Sequence, residues 1–238
     1  MKTVVHKADS RGFADHGWLK SHHTFSFAGY NNPQRMNFGA LRVLNDDVVQ
    51  PKMGFGTHPH QNMEIISIPL KGALSHKDSM GNKRAIEVGE VQVMSAGTGL
   101  SHSEFNDSQT EEVNFLQLWI IPEAMGVEPN YEQRSFDSED RKDRLQMLVA
   151  PKDKLEADAL PISQQAYVYR SDLSIESKLQ IALKNPHNGL YIVVLNGEIT
   201  VADIILNRRD ALGVSEFDKV EVEALKTSEV LFVEVPMI

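Results

Sequence analysis

The chain has 238 residues, 41% of them apolar and 24% charged, with a formal net charge of −9. That length suits one large globular domain or two ordinary ones, and the acidic balance offers no basic footprint for nucleic acid or an anionic membrane. Cysteine is absent, which excludes disulfides, thiolate metal sites and cysteine nucleophiles and leaves nitrogen and oxygen to hold any transition metal.

The first residues, Met-Lys-Thr-Val-Val-His-Lys, lack the apolar core of a signal peptide. No run approaches the roughly 18 apolar residues of a membrane-spanning helix. The expectation is a cytoplasmic enzyme or binding protein. In chain order, the spacing predicts strands over residues 63–70, 90–94, 114–121, 146–150, 190–195 and 230–235, each short, rich in Val, Ile or Leu, and flanked by turn residues. Helical periodicity is scarce; residues 153–159 suit one helical turn or two. Many short, regularly spaced strands predict an all-β protein built of sandwiches or barrels. The polar stretch 132–144 is the predicted linker, and the acidic clusters at 137–143 and 216–223 read as solvated surface.

The two halves also resemble one another. Residues 65–75 align with 190–200, both reading strand, two-residue turn, strand, and Asn196-Gly197 is a strong hairpin signal because both residues accept positive φ. A duplication is the expected origin.

Of nine histidines, only His187 lies beyond residue 102. In Thr57-His58-Pro59-His60, residues two apart on an extended chain face the same way, so two imidazoles can aim at one point. Pro59 disfavours helix at His58. Glu64 shares the parity of both histidines and is expected to face inward as well. In Gly97-Thr98-Gly99-Leu100-Ser101-His102-Ser103-Glu104, His102 and Glu104 repeat the two-apart arrangement, and the glycines suit a tight turn or close backbone approach. Either Glu64 or Glu104 can supply a carboxylate. His23 is expected in a structural hydrogen bond and His76 near the surface. Phe25, Phe27, Phe38, Phe55 and Met94 read as core, and Trp18 and Trp119 as packing residues.

The His58-Pro59-His60 segment, the run 89–99 and the following His102-Ser103-Glu104 closely resemble the pirin family of the cupin superfamily. So do Gly17-Trp18-Leu19, His23-Thr24-Phe25-Ser26-Phe27 and His76-Lys77-Asp78-Ser79 with Gly81. The resemblance is strong over the first half and less specific over the second. It implies two antiparallel jelly-roll barrels, a bicupin, with a metal-binding domain over 1–135 and a ligand-free domain over 136–238. It implies His58, His60, His102 and Glu104 as ligands of one divalent transition metal. Iron(II) is the expected occupant, with manganese, cobalt, nickel, copper and zinc as alternatives. The general cupin pattern would use Glu64 as the carboxylate; the pirin pattern uses Glu104. Aligning the repeats sets Leu183, Asn185 and Gly189 opposite His58, His60 and Glu64, and Lys226 and Ser228 opposite His102 and Glu104, so one metal site is expected.

Within bacterial pirin-like proteins the chain looks close to those with quercetin 2,3-dioxygenase activity. That implies a flavonol and dioxygen as substrates, ring opening with loss of carbon monoxide, and Glu104 as proton acceptor. Residues that bind the rest of the substrate are not identified. The alternative is a pirin-type regulator whose metal responds to redox state. A third is a cupin sugar isomerase, which would want basic residues for phosphate. A monomer with no direct nucleic-acid or membrane partner is expected.

Overall fold

The computed structural model describes residues 1–156 and 158–238. Strands dominate, and the helical pieces among the described residues are two short 3-10 turns, Ala8–Ser10 and Ser138–Arg141. The expected helical stretch 153–159 forms turns and bends where it is described, and Ala157 lies outside the described residues.

The strands form two barrels, each a seven-stranded sheet facing a four-stranded one. In the first barrel the large sheet runs, in spatial order, Asn130–Ser135, Glu90–Ser95, Glu64–Lys71, Val113–Ile120, Leu41–Val49, Leu19–His23 and Gly12–Asp15. Its small sheet runs Gly54–His60, Leu100–Phe105, Ala73–Asp78 and Lys83–Glu87. The second barrel repeats both orders. Its large sheet runs Lys2–His6, Ala211–Ser215, Asn188–Asn196, Ser228–Pro236, Tyr167–Leu173, Gln146–Pro151 and Leu160–Ile162; its small sheet runs Lys178–Ile181, Val220–Ala224, Glu198–Val201 and Ile204–Asn207. Neighbours are antiparallel except Gln146–Pro151 beside Leu160–Ile162. The duplication read from 65–75 and 190–200 is thus visible in the strand order.

Two boundaries differ from expectation. Lys2–His6 pairs with Ala211–Ser215, so the first strand of the chain edges the second barrel. Residues 132–135, expected in the linker, belong to a strand laid along Glu90–Ser95. The turn after it is the true connection, with Asp137 capping Glu139 N.

Strand parity decides what each face packs against. Along Glu64–Lys71 and Val113–Ile120, the residues Ile66, Ile68, Leu116, Leu118 and Ile120 join Tyr191, Val193, Leu231 and Val233 in one core between the two large sheets. The alternate residues face inside the barrels. Inside the second barrel they are apolar: Leu190, Ile192, Val194, Val222, Val230 and Phe232 belong to one continuous core. Inside the first barrel they form two small apolar clusters, one around Phe115 and Leu74 and one around Ile65 and Met94. Polar residues and a cavity separate these clusters. Five strands supply a row of polar partners by register: His23 opposite Asn45, Asn45 opposite Gln117, Gln117 opposite Ser67, and Ser67 opposite Gln92.

Candidate metal centre

His58 and His60 sit at the end of Gly54–His60, and His102 and Glu104 on the neighbouring Leu100–Phe105. The register pairs His102 directly with His58 and Leu100 with His60. Gly97 sets the approach to Leu100–Phe105: its φ is +47°, and a side chain there would run into the Val127 carbonyl. The three imidazoles form a tight triangle, with ring centroids 4.8 Å apart for His58 and His60, 4.5 Å for His58 and His102, and 4.9 Å for His60 and His102.

The hydrogen-bond partners fix which nitrogens are free. His58 Nδ1 donates to the Gly56 carbonyl at 2.8 Å, which leaves its Nε2 lone pair bare. On the other strand a chain of partners starts at Asp78. Burial alone would raise the Asp78 carboxyl, but hydrogen bonds from Asn82 and His76 outweigh it and hold the group below the usual carboxylate range. An ionised carboxylate only accepts, so His76 Nε2 donates to Asp78 Oδ2 at 3.1 Å. With Nε2 as its donor to Asp78, His76 can accept at Nδ1 from His102 Nδ1, 3.4 Å away. In that arrangement the His102 Nε2 lone pair is also bare, and it faces His58 Nε2 at 3.1 Å. Two bare lone pairs at that distance repel unless a cation lies between them.

Two of the three rings hold a proton poorly. Burial first, and then the neighbouring histidines, lower His102 to about 2 and His60 to about 4. His58, His60 and His102 each present a donor atom within 4.8 Å of the others. The group fits one divalent metal held by neutral imidazoles. Among the described residues, no comparable cluster occurs in the second barrel.

Glu104 is fully enclosed in the same interior. It groups at metal-binding distances with His76 and His102 rather than with the three-histidine triangle. Gln117 Nε2 donates to one of its oxygens at 2.8 Å and Ser67 Oγ to the other at 3.3 Å. Burial raises its carboxyl, and the Gln117 bond is the largest opposing influence.

Glu64 does not face the histidines. Residues 61–63 break the strand, with Asn62 at φ +51°, and the new strand starts in the other phase. Glu64 points with Ile66 and Ile68 toward the space between the barrels, accepting from Ser95 Oγ. Parity does not carry across a left-handed residue, so the alternation that predicts an inward Glu64 fails at Asn62.

His76, expected near the surface, lies in the interior. It is 1% exposed, wedged between His102 and Tyr131. His76-Lys77-Asp78 is another two-apart pair, a signal of the same form as His102-Ser103-Glu104. His23, Trp18 and Trp119, read as structural, line a cavity of about 750 Å³ together with His58, His60 and Glu104. Phe13, Phe27, Tyr30 and Phe55 complete its aromatic wall. Trp119 meets His60 edge-on at 4.9 Å and Phe27 at 5.3 Å. Of the residues read as core, Phe25, Phe38 and Met94 are buried.

The ladders also revise the repeat alignment at the second barrel. Glu104 pairs with His76, whose repeat partner is Val201, and Val201 pairs with Val222. Val222 and Val220 therefore stand at the Glu104 and His102 positions, in place of Ser228 and Lys226. Ile181, opposite Val220, stands at the His58 position. The positions matching His58, His102 and Glu104 are filled by aliphatic side chains packed in the second core.

The pirin family model matches residues 4–120, and the model of the quercetinase C-terminal cupin domain matches residues 147–235. A quercetin 2,3-dioxygenase of Escherichia coli K12 is 43% identical over 98% of both chains. The chain belongs to the pirin family. A pirin-like protein of Caulobacter vibrioides is 40% identical, covering 95% of this chain and 96% of its own. The crystal structure of the bacterial pirin YhhW from Escherichia coli, in complex with nickel(II), superposes with a TM-score of 0.93 at 39% identity, covering all of both chains. The bicupin architecture is thus shared along the whole length, and no helix is long and apolar enough to cross a membrane among the described residues.

Proposed function

We propose that this pirin is a metal-dependent dioxygenase that opens flavonols such as quercetin at the 2,3-bond with loss of carbon monoxide. His58, His60 and His102 are the histidine ligands, and Glu104 is the carboxylate beside them. The observation that carries the reading is the approach of His58 Nε2 and His102 Nε2 to 3.1 Å, with His58 and His60 lining an aromatic-walled cavity. Relatives along the full chain are named quercetin 2,3-dioxygenases, which supports the substrate class. A cavity of about 750 Å³ lies in the usual size range for drug-sized ligands. The division into a metal-binding unit over 1–135 and a ligand-free unit over 136–238 belongs to the same reading, with Lys2–His6 lent to the second barrel.

The metal, when bound, supplies open coordination positions and Lewis acidity, which lower the pKa of an enolic hydroxyl. Iron(II) is our choice among the divalent metals that suit nitrogen and oxygen donors. The rest is work for the chain. Glu104 takes the hydroxyl proton on a carboxylate whose two oxygens are held in place, one by Gln117 and one by Ser67. Trp119, Phe27 and Phe55 orient a flat ring system and exclude water. Among the described residues lining the cavity there is no lysine or arginine, so a sugar-phosphate substrate lacks its anchor.

The test is anaerobic reconstitution with each divalent metal, followed by quercetin under air. Loss of flavonol absorbance with release of carbon monoxide is expected, and His58→Ala should abolish both metal retention and turnover. A metal that alters partner docking with no turnover under any reconstitution would replace this reading with the regulatory one.

A further inference from the structure

The wall of the cavity on the large sheet carries polar atoms with nothing to bind. His23 Nδ1, Asn45 Oδ1, Asp47 Oδ1 and Trp119 Nε1 are all buried without a hydrogen-bond partner, and all four residues line the same cavity. Leaving such groups unpaired destabilises a fold, and native proteins rarely do so without a reason. Asn45 and Asp47 are 2% and 3% exposed, in the middle of the strand Leu41–Val49.

The arrangement is built rather than incidental. Asn45 and Asp47 lie two residues apart, so both face inward from one strand. Asp46 between them faces the other way. There it meets Arg209 Nε of the second barrel at 2.8 Å and Arg11 at 3.7 Å. Asn114 Nδ2 also donates to Asp46 at 2.7 Å. The second barrel thereby clamps the back of the strand whose front places Asn45 and Asp47 in the cavity wall. Ser21 and His23 stand opposite Asp47 and Asn45 on the adjoining strand. The histidine cluster lies on the small sheet, and this polar patch on the large one.

We infer that Asn45 and Asp47 form a hydroxyl-binding subsite, taking phenolic hydroxyls of a flat polyhydroxylated aromatic whose other edge reaches the histidine cluster. Two acceptor oxygens ask for donors, and the aromatic lining asks for a planar ring. A phenol supplies both. His23 Nδ1 and Trp119 Nε1 add two more buried, unpaired polar atoms in the same wall. This subsite rests on the reading of the cavity as a flavonol site, and it adds that affinity comes from hydroxyls remote from the one the metal would take.

Both tryptophans line the cavity, so ligand binding is read from quenching of intrinsic fluorescence without any turnover. The probes are quercetin and 3-hydroxyflavone, which keeps only the hydroxyl on the heterocycle. Quercetin is expected to bind at least about tenfold tighter to the wild-type protein, one hydrogen bond to a buried acceptor being worth about that factor. Asn45→Ala and Asp47→Ala should each weaken quercetin about tenfold or more and leave 3-hydroxyflavone within about threefold. Equal affinity of the wild type for both probes overturns the subsite, and so does a variant that weakens both alike. The wild-type ratio needs no variant to fold. Hydroxyl-dependent binding without oxygen consumption would sink the dioxygenase reading and leave the subsite standing. Equal turnover of both flavonols in wild type and variants would do the reverse.

Discussion

Asp47→Asn tests whether that carboxyl is kept at the expense of the fold. Burial, reinforced by Asp46 and Glu104 and opposed by Ser21, pushes Asp47 from 3.8 up to about 7. A folded-state pKa above the unfolded one means stability present at low pH and lost as pH rises from 3.8 toward about 7. The gap of about three units corresponds to about 4 kcal/mol of destabilisation once the group is ionised in both states. Asparagine removes the charge but buries an amide with no partner, which takes back about 1–3 kcal/mol. The variant should therefore be more stable than wild type by about 1–3 kcal/mol at about pH 8. At about pH 5 its advantage should be about 2–3 kcal/mol smaller, and it should vanish or reverse. Urea denaturation of chelator-treated protein at the two pH values measures this directly. A variant less stable than wild type at about pH 8, or a difference that does not change with pH, would refute the reasoning.

Three further outcomes are expected. His76→Ala frees the His102 ring from the donor chain that bares its Nε2, and metal affinity in a chelator competition should fall about 10–100-fold; unchanged affinity would mean the strand alone orients His102. Gln117→Leu removes the 2.8 Å donor to Glu104 and leaves the histidines intact. Metal content should hold while turnover at saturating flavonol falls about 100-fold, and a loss of metal instead would make Gln117 part of the metal's support rather than of proton transfer. Arg209→Ala strips the 2.8 Å partner from buried Asp46, which should cost about 3 kcal/mol in thermal or urea unfolding; a neutral result would show that Arg11 and Asn114 suffice.

The strands legible in the sequence were those with an uninterrupted aliphatic pattern. Residues 63–70, 114–121, 190–195 and 230–235 all fall within or beside observed strands. They are the central ones, apolar on both faces because one face meets the other barrel and one faces inward. Leu41–Val49 escaped notice because Asn45, Asp46 and Asp47 interrupt its apolar run. Those three residues are there for the cavity on one side and the ion pairs on the other. Edge strands such as Lys2–His6 and Gly12–Asp15 escaped for the usual reason: half-exposed, short strands carry little hydrophobic pattern.

The histidine pair at positions 58 and 60 and the His102–Glu104 pair were readable because a two-residue period puts side chains on one face whatever the tertiary structure does. The lack of cysteine limited the metal to nitrogen and oxygen donors just as locally. What needed the fold was every relation across strands. The left-handed turn at Asn62 reversed the phase of Glu64. Register brought Asp78 and His76 behind His102 and so decided which nitrogens are free. The clamp of Arg209 on Asp46, and with it the placing of Asn45 and Asp47 in the cavity wall, joins residues far apart in the chain. Sequence periodicity fixes only which way neighbours on one strand point. Which strands meet, and at what offset, is set by packing two barrels against one another, and the chemistry of this site lies in those meetings.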